Sequence, residues 1–269
     1  CEVIEQFCDL DPEFPNHDPD PALKATVEIL GKRVVEEKAD VGFAFDGDGD
    51  RLGVVDDKGQ VIWPDRYMIL LSRQILEKNP GAKIIFDVKC SQALEEDIEA
   101  HGGKPIMWKT GHSHIKAKLH EVKGLLAGEM SGHIFYVDNF YGFDDGVYAG
   151  LRFAEYVSGQ KETLSEIIEK TPYYISTPTI HVDCPDTEKY RIVDELTAAL
   201  KKEFPKIIDI NGARVMFDDG WGLVRASSNM PQLVLRFEAK TEKRLGEIKA
   251  LFRKYMDVHP EIGKEWENE

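Results

Sequence analysis

Asp46-Gly-Asp-Gly-Asp50-Arg51 places three carboxylates at every second position, separated by glycines that let the backbone wrap. Hard oxygens so spaced suit a hard divalent cation such as Mg²⁺. The same spacing opens an EF-hand calcium loop, in which Asp fills the first, third and fifth ligand positions. That loop needs Gly at its sixth position and Glu at its twelfth, where this chain has Arg51 and Asp57. A strand also leads into it where an EF-hand has a helix. The plain alternative is a solvated Asp-Gly turn. Three carboxylates repelling one another at the end of a buried strand weigh against it, and Asp46, Asp48 and Asp50 are read as metal ligands. Arg51 either neutralises the loop or offers a guanidinium to a transferring phosphoryl group, and residue type alone leaves those readings level.

Gly128-Glu-Met-Ser-Gly-His133 lies between two apolar runs. Residue types alone favour a Gly-flanked turn between strands, although the carboxylate of Glu129 would also suit two neighbouring sugar hydroxyls and the glycines would admit a sugar to the backbone. His112 and His133, taken singly, read as satisfied core or surface histidines. Lys89 ends an apolar strand, either as an exposed terminal residue or where ligands collect in parallel α/β domains. Arg225-Ala-Ser-Ser-Asn-Met-Pro231 joins two apolar strands through guanidinium, hydroxyl and amide groups. That set suits a phosphate dianion, and equally a polar hairpin loop. Arg236, in the following strand, reads as an exposed partner.

In chain order, Ala44-Phe-Asp-Gly-Asp-Gly-Asp-Arg51 resembles the metal loop of the α-D-phosphohexomutase superfamily, phosphomannomutase/phosphoglucomutase type, and Gly128-Glu-Met-Ser-Gly-His133 is similar to its sugar-binding loop. Trp108-Lys-Thr-Gly-His-Ser113 and Arg225 to Pro231 resemble two further segments of that family. Met130 favours this branch, since the glucosamine-phosphate branch typically has Gln there. The resemblance implies four domains around a cleft, three related α/β domains and a last α+β domain. It implies interconversion of hexose 1-phosphate and hexose 6-phosphate, of mannose or glucose, through a phosphoserine and a bisphosphorylated sugar. On that pattern Asp46, Asp48 and Asp50 bind Mg²⁺, and Arg51, Lys89 and His133 are catalytic, His133 by proton transfer. Glu129 and Ser131 contact ring hydroxyls, His112 contacts phosphate or sugar, and Arg225, Ser227, Ser228 and Asn229 grip the phosphate that is not reacting. The family more often reads Arg-x-Ser-Asn-Thr-x-Pro, so Ser228 stands for Asn and Asn229 for Thr, with hydrogen-bonding groups kept at both. The family's phosphoserine loop, similar to Thr-Ala-Ser-His-Asn-Pro, has no counterpart here, because Gly111-His-Ser-His114 lacks the Asn-Pro. The expected partners are a phosphorylated hexose and the missing N-terminal domain of the same enzyme, and the chain alone is expected to be inactive. The alternative from another class is a non-catalytic metal- and phosphosugar-binding fragment.

The elements that must position these residues follow from punctuation and periodicity. Pro and Asp crowd residues 1–22, which predicts a loop, and apolar spacing predicts a helix over 23–38. Strands are expected at 41–45, buried, and at 52–55, turning through Asp56-Asp-Lys-Gly59 into 61–63. A helix through Leu76, strand 83–88, helix 91–101, strand 105–108 and helix 112–122 alternate as in a parallel α/β domain. From Tyr173 come strand 175–182, helix 187–204, strands with an Asn211-Gly212 turn, and helix 241–256, with a frayed tail at 265–269. The expected class is α/β: two parallel-sheet α/β domains, the first incomplete (1–60 with the metal loop, 61–172 with the sugar loop), followed by an α+β domain with an antiparallel sheet (173–269, with the phosphate loop).

Composition narrows the function classes. A net charge of −15 opposes nucleic-acid binding, which draws on clustered Lys and Arg. No apolar run approaches the roughly 18 residues of a membrane span, and no charged-then-apolar leader opens the chain. Cys1, Cys8, Cys90 and Cys184 are scattered without a C-x-x-C pair, as reduced thiols of a cytoplasmic protein would be. The start on Cys1 without Met suggests a fragment, a processed product or one piece of something larger.

Overall fold

The computed structural model describes residues 1–9 and 11–266 and falls into two compact units. One comprises Cys1–Cys90, Leu94–Met107 and Gly111–Pro172; the other comprises Ser91–Ala93, Trp108–Thr110 and the described residues from Tyr173 onward.

In the first unit, no helix or strand forms among the described residues before α1 (Lys24–Glu37). Its Val27 and Val34 pack with Val55, and Lys38 ends it in the left-handed region with its N–H on the carbonyls of Val34 and Val35. Strands β1 (Val41–Phe45), β2 (Leu52–Asp56) and β3 (Val61–Ile62) follow as one three-stranded sheet in sequence order. The alternating reading implied a parallel sheet for this segment, but both pairings are antiparallel. The stretches 46–51 and 57–60 are too short for the dozen or more residues of a parallel crossover, so each strand can only fold back on the last. The expected burial of β1 is also corrected. Phe45 is exposed, whereas every residue of β2 is buried.

Helix α2 (Pro64–Lys78) starts with proline at its first position, where the missing N–H costs no bond. Tyr67 to Leu71 of α2 are all fully buried. Then come β4 (Lys83–Asp87), α3 (Gln92–Ala100), β5 (Lys104–Trp108), α4 (His112–Val122), β6 (Leu126–Gly128) and β7 (Ile134–Tyr136). The sheet order is β5-β4-β6-β7, with β6 parallel to β4 and β7 antiparallel to β6. Here the connection length again decides the direction. A crossover through α4 precedes β6, but only residues 129–133 separate β6 from β7, so Glu-Met-Ser-Gly-His is a hairpin loop. Helices α5 (Gly146–Ser158) and α6 (Leu164–Glu169) complete the unit, and the sequence reading had placed neither.

The second unit contains β8 (Ile175–Ser176), β9 (Ile180–Asp183), α7 (Lys189–Glu203), β10 (Ile207–Ile208), β11 (Ala213–Phe217), β12 (Gly220–Ala226), β13 (Gln232–Ala239) and α8 (Glu242–Met256). The sheet runs β10-β11-β12-β13-β8, with β9 also on β13, and every pairing is antiparallel. The single strand expected over 175–182 splits around Pro178, which has no N–H for the ladder. Arg236 is buried within β13 and is not the exposed partner expected of it. The frayed tail is corrected at Trp266, which is buried and stacks on Phe237 at 5.8 Å; residues 267–269 lie outside the described residues. All four cysteines are free. Among the described residues no helix is long and apolar enough to cross a membrane.

Candidate active site

The loop between β1 and β2 is closed by its own arginine. The Arg51 backbone N–H donates to Asp46 Oδ1 at 3.0 Å and Nε donates to Asp46 Oδ2 at 2.6 Å, while Nη1 reaches Asp20 Oδ1 at 2.8 Å. Burial pushes the Asp46 carboxyl up, but the Arg51 bonds outweigh it and hold the group below its ordinary value. Asp50 moves the other way. Burial raises it, and the charges of Asp46 and Asp48 add to that against the pull of His133. Asp46, Asp48 and Asp50 can each present an oxygen within 4.8 Å of the others. A carboxylate has about four lone-pair sites, so Asp46 retains acceptor capacity beyond its two arginine bonds. Three oxygen donors, one of them destabilised by its neighbours, fit a hard divalent cation.

Two glycines bring the loop between β6 and β7 onto this one. Gly132 has φ +101°, and a Cβ there would lie 2.9 Å from the Leu52 carbonyl oxygen. A Cβ on Gly146 would lie 2.6 Å from the Arg51 carbonyl oxygen. With hydrogen atoms in those places, Leu52 N–H donates to Gly132 O at 3.0 Å, Gly146 N–H donates to Gly49 O at 3.0 Å, and Arg51 and His133 form an antiparallel bridge. His133 therefore lies against the carboxylate loop. Its Nε2 is 3.4 Å from Asp50 Oδ1, and its Nδ1 is 2.8 Å from Ser131 Oγ and 3.4 Å from Glu129 Oε2. Burial pushes the imidazole down, but the hydrogen bond with Glu129 and the charges of Glu129, Asp50 and Asp144 prevail and raise it. Glu129 is 1% exposed, and its Oε1 accepts the Gly111 N–H in a short hydrogen bond. The His112 ring stacks on His133 with centroids 5.8 Å apart, and its Nδ1 lies 3.4 Å from Asp144 Oδ2.

Three models of one family match successive stretches of the chain: phosphoglucomutase/phosphomannomutase α/β/α domain II over residues 1–59, α/β/α domain III over 63–174, and the C-terminal domain over 180–254. The chain belongs to the phosphoglucomutase/phosphomannomutase family. A phosphomannomutase/phosphoglucomutase of Pseudomonas putida is 48% identical over 263 residues, covering 97% of this chain and 57% of the relative. A phosphoglucomutase of Neisseria meningitidis is 46% identical over 265 residues, covering 97% and 57%. A crystal structure of a phosphoglucomutase/phosphomannomutase family protein from Burkholderia thailandensis superposes with a TM-score of 0.89 at 44% identity, covering 96% of this chain and 55% of that one. The chain thus spans about half the length of the relatives it matches.

The remaining sequence-predicted residues fall in two places. Lys89 follows β4, its Nζ 3.5 Å from the buried Asp87 carboxylate. The other set is in the second unit, on the loop between β12 and β13. Arg225 is buried, with Nε donating to Asn211 Oδ1 at 3.0 Å and Nη2 to Ser228 Oγ at 3.3 Å. Ser227 Oγ accepts the N–H groups of Asn229 and Met230, at 3.4 and 3.2 Å. Sequence reasoning missed the residues behind these groups: Asp20 behind Arg51, Asp144 beside the two histidines, Asn211 behind Arg225, and Lys189. Lys189 is 1% exposed and donates from Nζ to the Met230 carbonyl at 2.9 Å. The sequence marks Asn211 only as a turn residue, and nothing in the local sequence marks the other three.

Proposed function

We propose that this chain carries the cation-, sugar- and phosphate-binding parts of a phosphohexomutase acting on glucose and mannose phosphates, in the cytoplasm. The observation that supports it most is the seating of His133 between Asp50 of the carboxylate loop and Glu129 of the sugar-type loop, in a chain of this family. Asp46, Asp48 and Asp50 would hold Mg²⁺, which when bound lowers the repulsion that opposes attack on a phosphate dianion. His133 exchanges the proton of the attacking hydroxyl at Nε2, with Ser131 and Glu129 orienting the ring from Nδ1. Arg51 and Lys89 supply positive charge to a transferring phosphoryl group. Glu129 fixes the Gly111 turn, and with it His112, and offers its remaining lone pairs to two ring hydroxyls. Arg225, Ser227, Ser228 and Asn229 grip the second phosphate. Residues 1–60, 61–172 and 173–269 are accordingly read as the cation, sugar and phosphate portions, and the phosphoserine is read as lying on residues outside these 269.

Calorimetric titration of the chain with glucose 1-phosphate and mannose 1-phosphate tests the reading. The parent should bind both. Glu129→Ala, shown folded by circular dichroism, should lose at least roughly tenfold for each, the scale of one charged hydrogen bond at about 1.5–3 kcal/mol. Glucose and mannose differ only at C2, and the two hydroxyls proposed for Glu129 are the third and fourth, so both losses should be alike. Failure of the parent to bind either sugar phosphate at millimolar concentration, or a loss confined to one sugar, would overturn it.

A further inference from the structure

We propose that Asp50, His133 and Asp144 form a second cation site, selective for a borderline transition-metal ion of the Zn²⁺ class over Mg²⁺. The inference rests on the geometry of these three side chains and holds whether or not the mutase reading does.

The donor set separates the two ions. An imidazole nitrogen with two carboxylate oxygens is a zinc-type combination, whereas Mg²⁺ seeks oxygen donors in octahedral array and keeps several waters. The donor atoms of the three residues lie within 4.8 Å of one another. His133 Nε2 and Asp50 Oδ1 are 3.4 Å apart, beyond the best hydrogen-bond range. That distance is close to the edge, about 3.3 Å, of a tetrahedron built on bonds of roughly 2.0–2.1 Å.

Asp144 supplies the independent observation. Its side chain is 10% exposed, and its Oδ2 is buried without a hydrogen-bond donor. The nearest basic atom, His112 Nδ1 at 3.4 Å, is too distant to serve as a good donor. An ionised oxygen shut away from water without a donor is costly unless a cation satisfies it. The backbone denies it an easy escape. Asp144 bridges to Phe135, Asp145 N–H donates to Ile134 O at 3.2 Å, and the Asp145 side chain caps α5 by accepting the Tyr148 N–H.

His133 is also prepared as a ligand. Metal-bound imidazoles ordinarily give their other ring nitrogen to a hydrogen-bonding partner, which fixes both tautomer and orientation. Ser131 Oγ, 2.8 Å from Nδ1, is such a partner; when Nδ1 donates to it, Nε2, 3.4 Å from Asp50 Oδ1, is left to bind the metal. Because Asp50 belongs to both carboxylate groupings, a zinc-class ion would take Asp50 and His133 together and compete with occupation of the triple-aspartate loop.

Calorimetric titrations of the full chain with ZnCl₂ and with MgCl₂, using the parent and three variants, decide the matter. Asp144→Asn and His133→Ala should weaken Zn²⁺ binding at least about tenfold and change Mg²⁺ binding less than about twofold. Asp48→Asn should do the reverse. Co²⁺ added to the parent should give the visible absorption of a four-coordinate site, and that absorption should vanish in His133→Ala. Asp144→Asn keeps the shape of the side chain, so it remains informative if His133→Ala fails to fold. The proposal is overturned if the parent does not bind Zn²⁺, if Asp144→Asn binds it as the parent does, or if Asp48→Asn loses Zn²⁺ as strongly as Asp144→Asn.

Discussion

Lys189 and Arg51 show how much of the site depends on charges bonded to the chain's own loops. Arg51 gives Nε and its backbone N–H to Asp46 and Nη1 to Asp20, so it fixes the carboxylate loop whatever else it does. Lys189, at the start of α7, reaches under the loop between β12 and β13 to its carbonyl at Met230, with Asp186 as counter-charge at 2.5 Å. Replacing it with Met keeps the length and removes both partners. A hydrogen bond to a charged group contributes about 1.5–3 kcal/mol, partly offset because the variant no longer buries an ammonium. Lys189→Met should therefore cost roughly 1–2 kcal/mol in urea unfolding, while Lys189→Arg should recover part of the loss. Unchanged stability in Lys189→Met would mean that the loop is held by its own Ser227 bonds.

Among the elements, α6 is held from outside by Asp57, the residue that stands where an EF-hand would have its last ligand. Ser165 gives Asp57 its N–H at 2.8 Å and its hydroxyl at 3.0 Å. Burial pushes the Asp57 carboxyl up, but these two bonds outweigh it and leave the group below its ordinary value. A depressed carboxyl stabilises the folded state fully above the unfolded value, near 3.9, and the contribution is lost as pH falls through the lower folded value. Asp57→Ala should thus cost about 1 kcal/mol at pH 7, a fall in Tm of roughly 2–4 °C, and the cost should fade below about pH 4. A pH-independent difference in Tm would assign the effect to lost packing. Helix α6 was legible in the sequence through Thr163 and Glu166, which form a capping box, and α5 through its Asp145 cap. Neither signal lies in the apolar runs that carry the alternation of strand and helix.

For the whole molecule, legibility divides by the range of the interaction. Asp46, Asp48, Asp50, Glu129, Ser131 and His133 lie on loops whose types and spacing can be read locally, and the structure brings them together. Asp20, Asp144 and Lys189 act on groups brought to them by the fold, and no spacing in the chain announces that. Parallel or antiparallel pairing in residues 41–62 could have been read from connection length alone, and the inferred periodic repeat of α and β overrode it. Backbone hydrogen bonds link the seam at Gly132 and Gly146. The Leu52 amide is bonded to Gly132 O, the Gly132 amide to Glu129 O, the Glu129 amide to His133 O, and the Gly146 amide to Gly49 O. No one of these protons can reach solvent without disturbing the chain that holds the next, so the carboxylate loop and the loop between β6 and β7 should open together as a single cooperative event. Native-state hydrogen exchange should give these four amides one common opening free energy, and Gly132→Ala should accelerate all four. Independent rates for Leu52 and Glu129 would show two loops that merely touch. With a common rate, the ordering entropy of the loops is settled when the chain folds, and a ligand arriving later meets groups already in place.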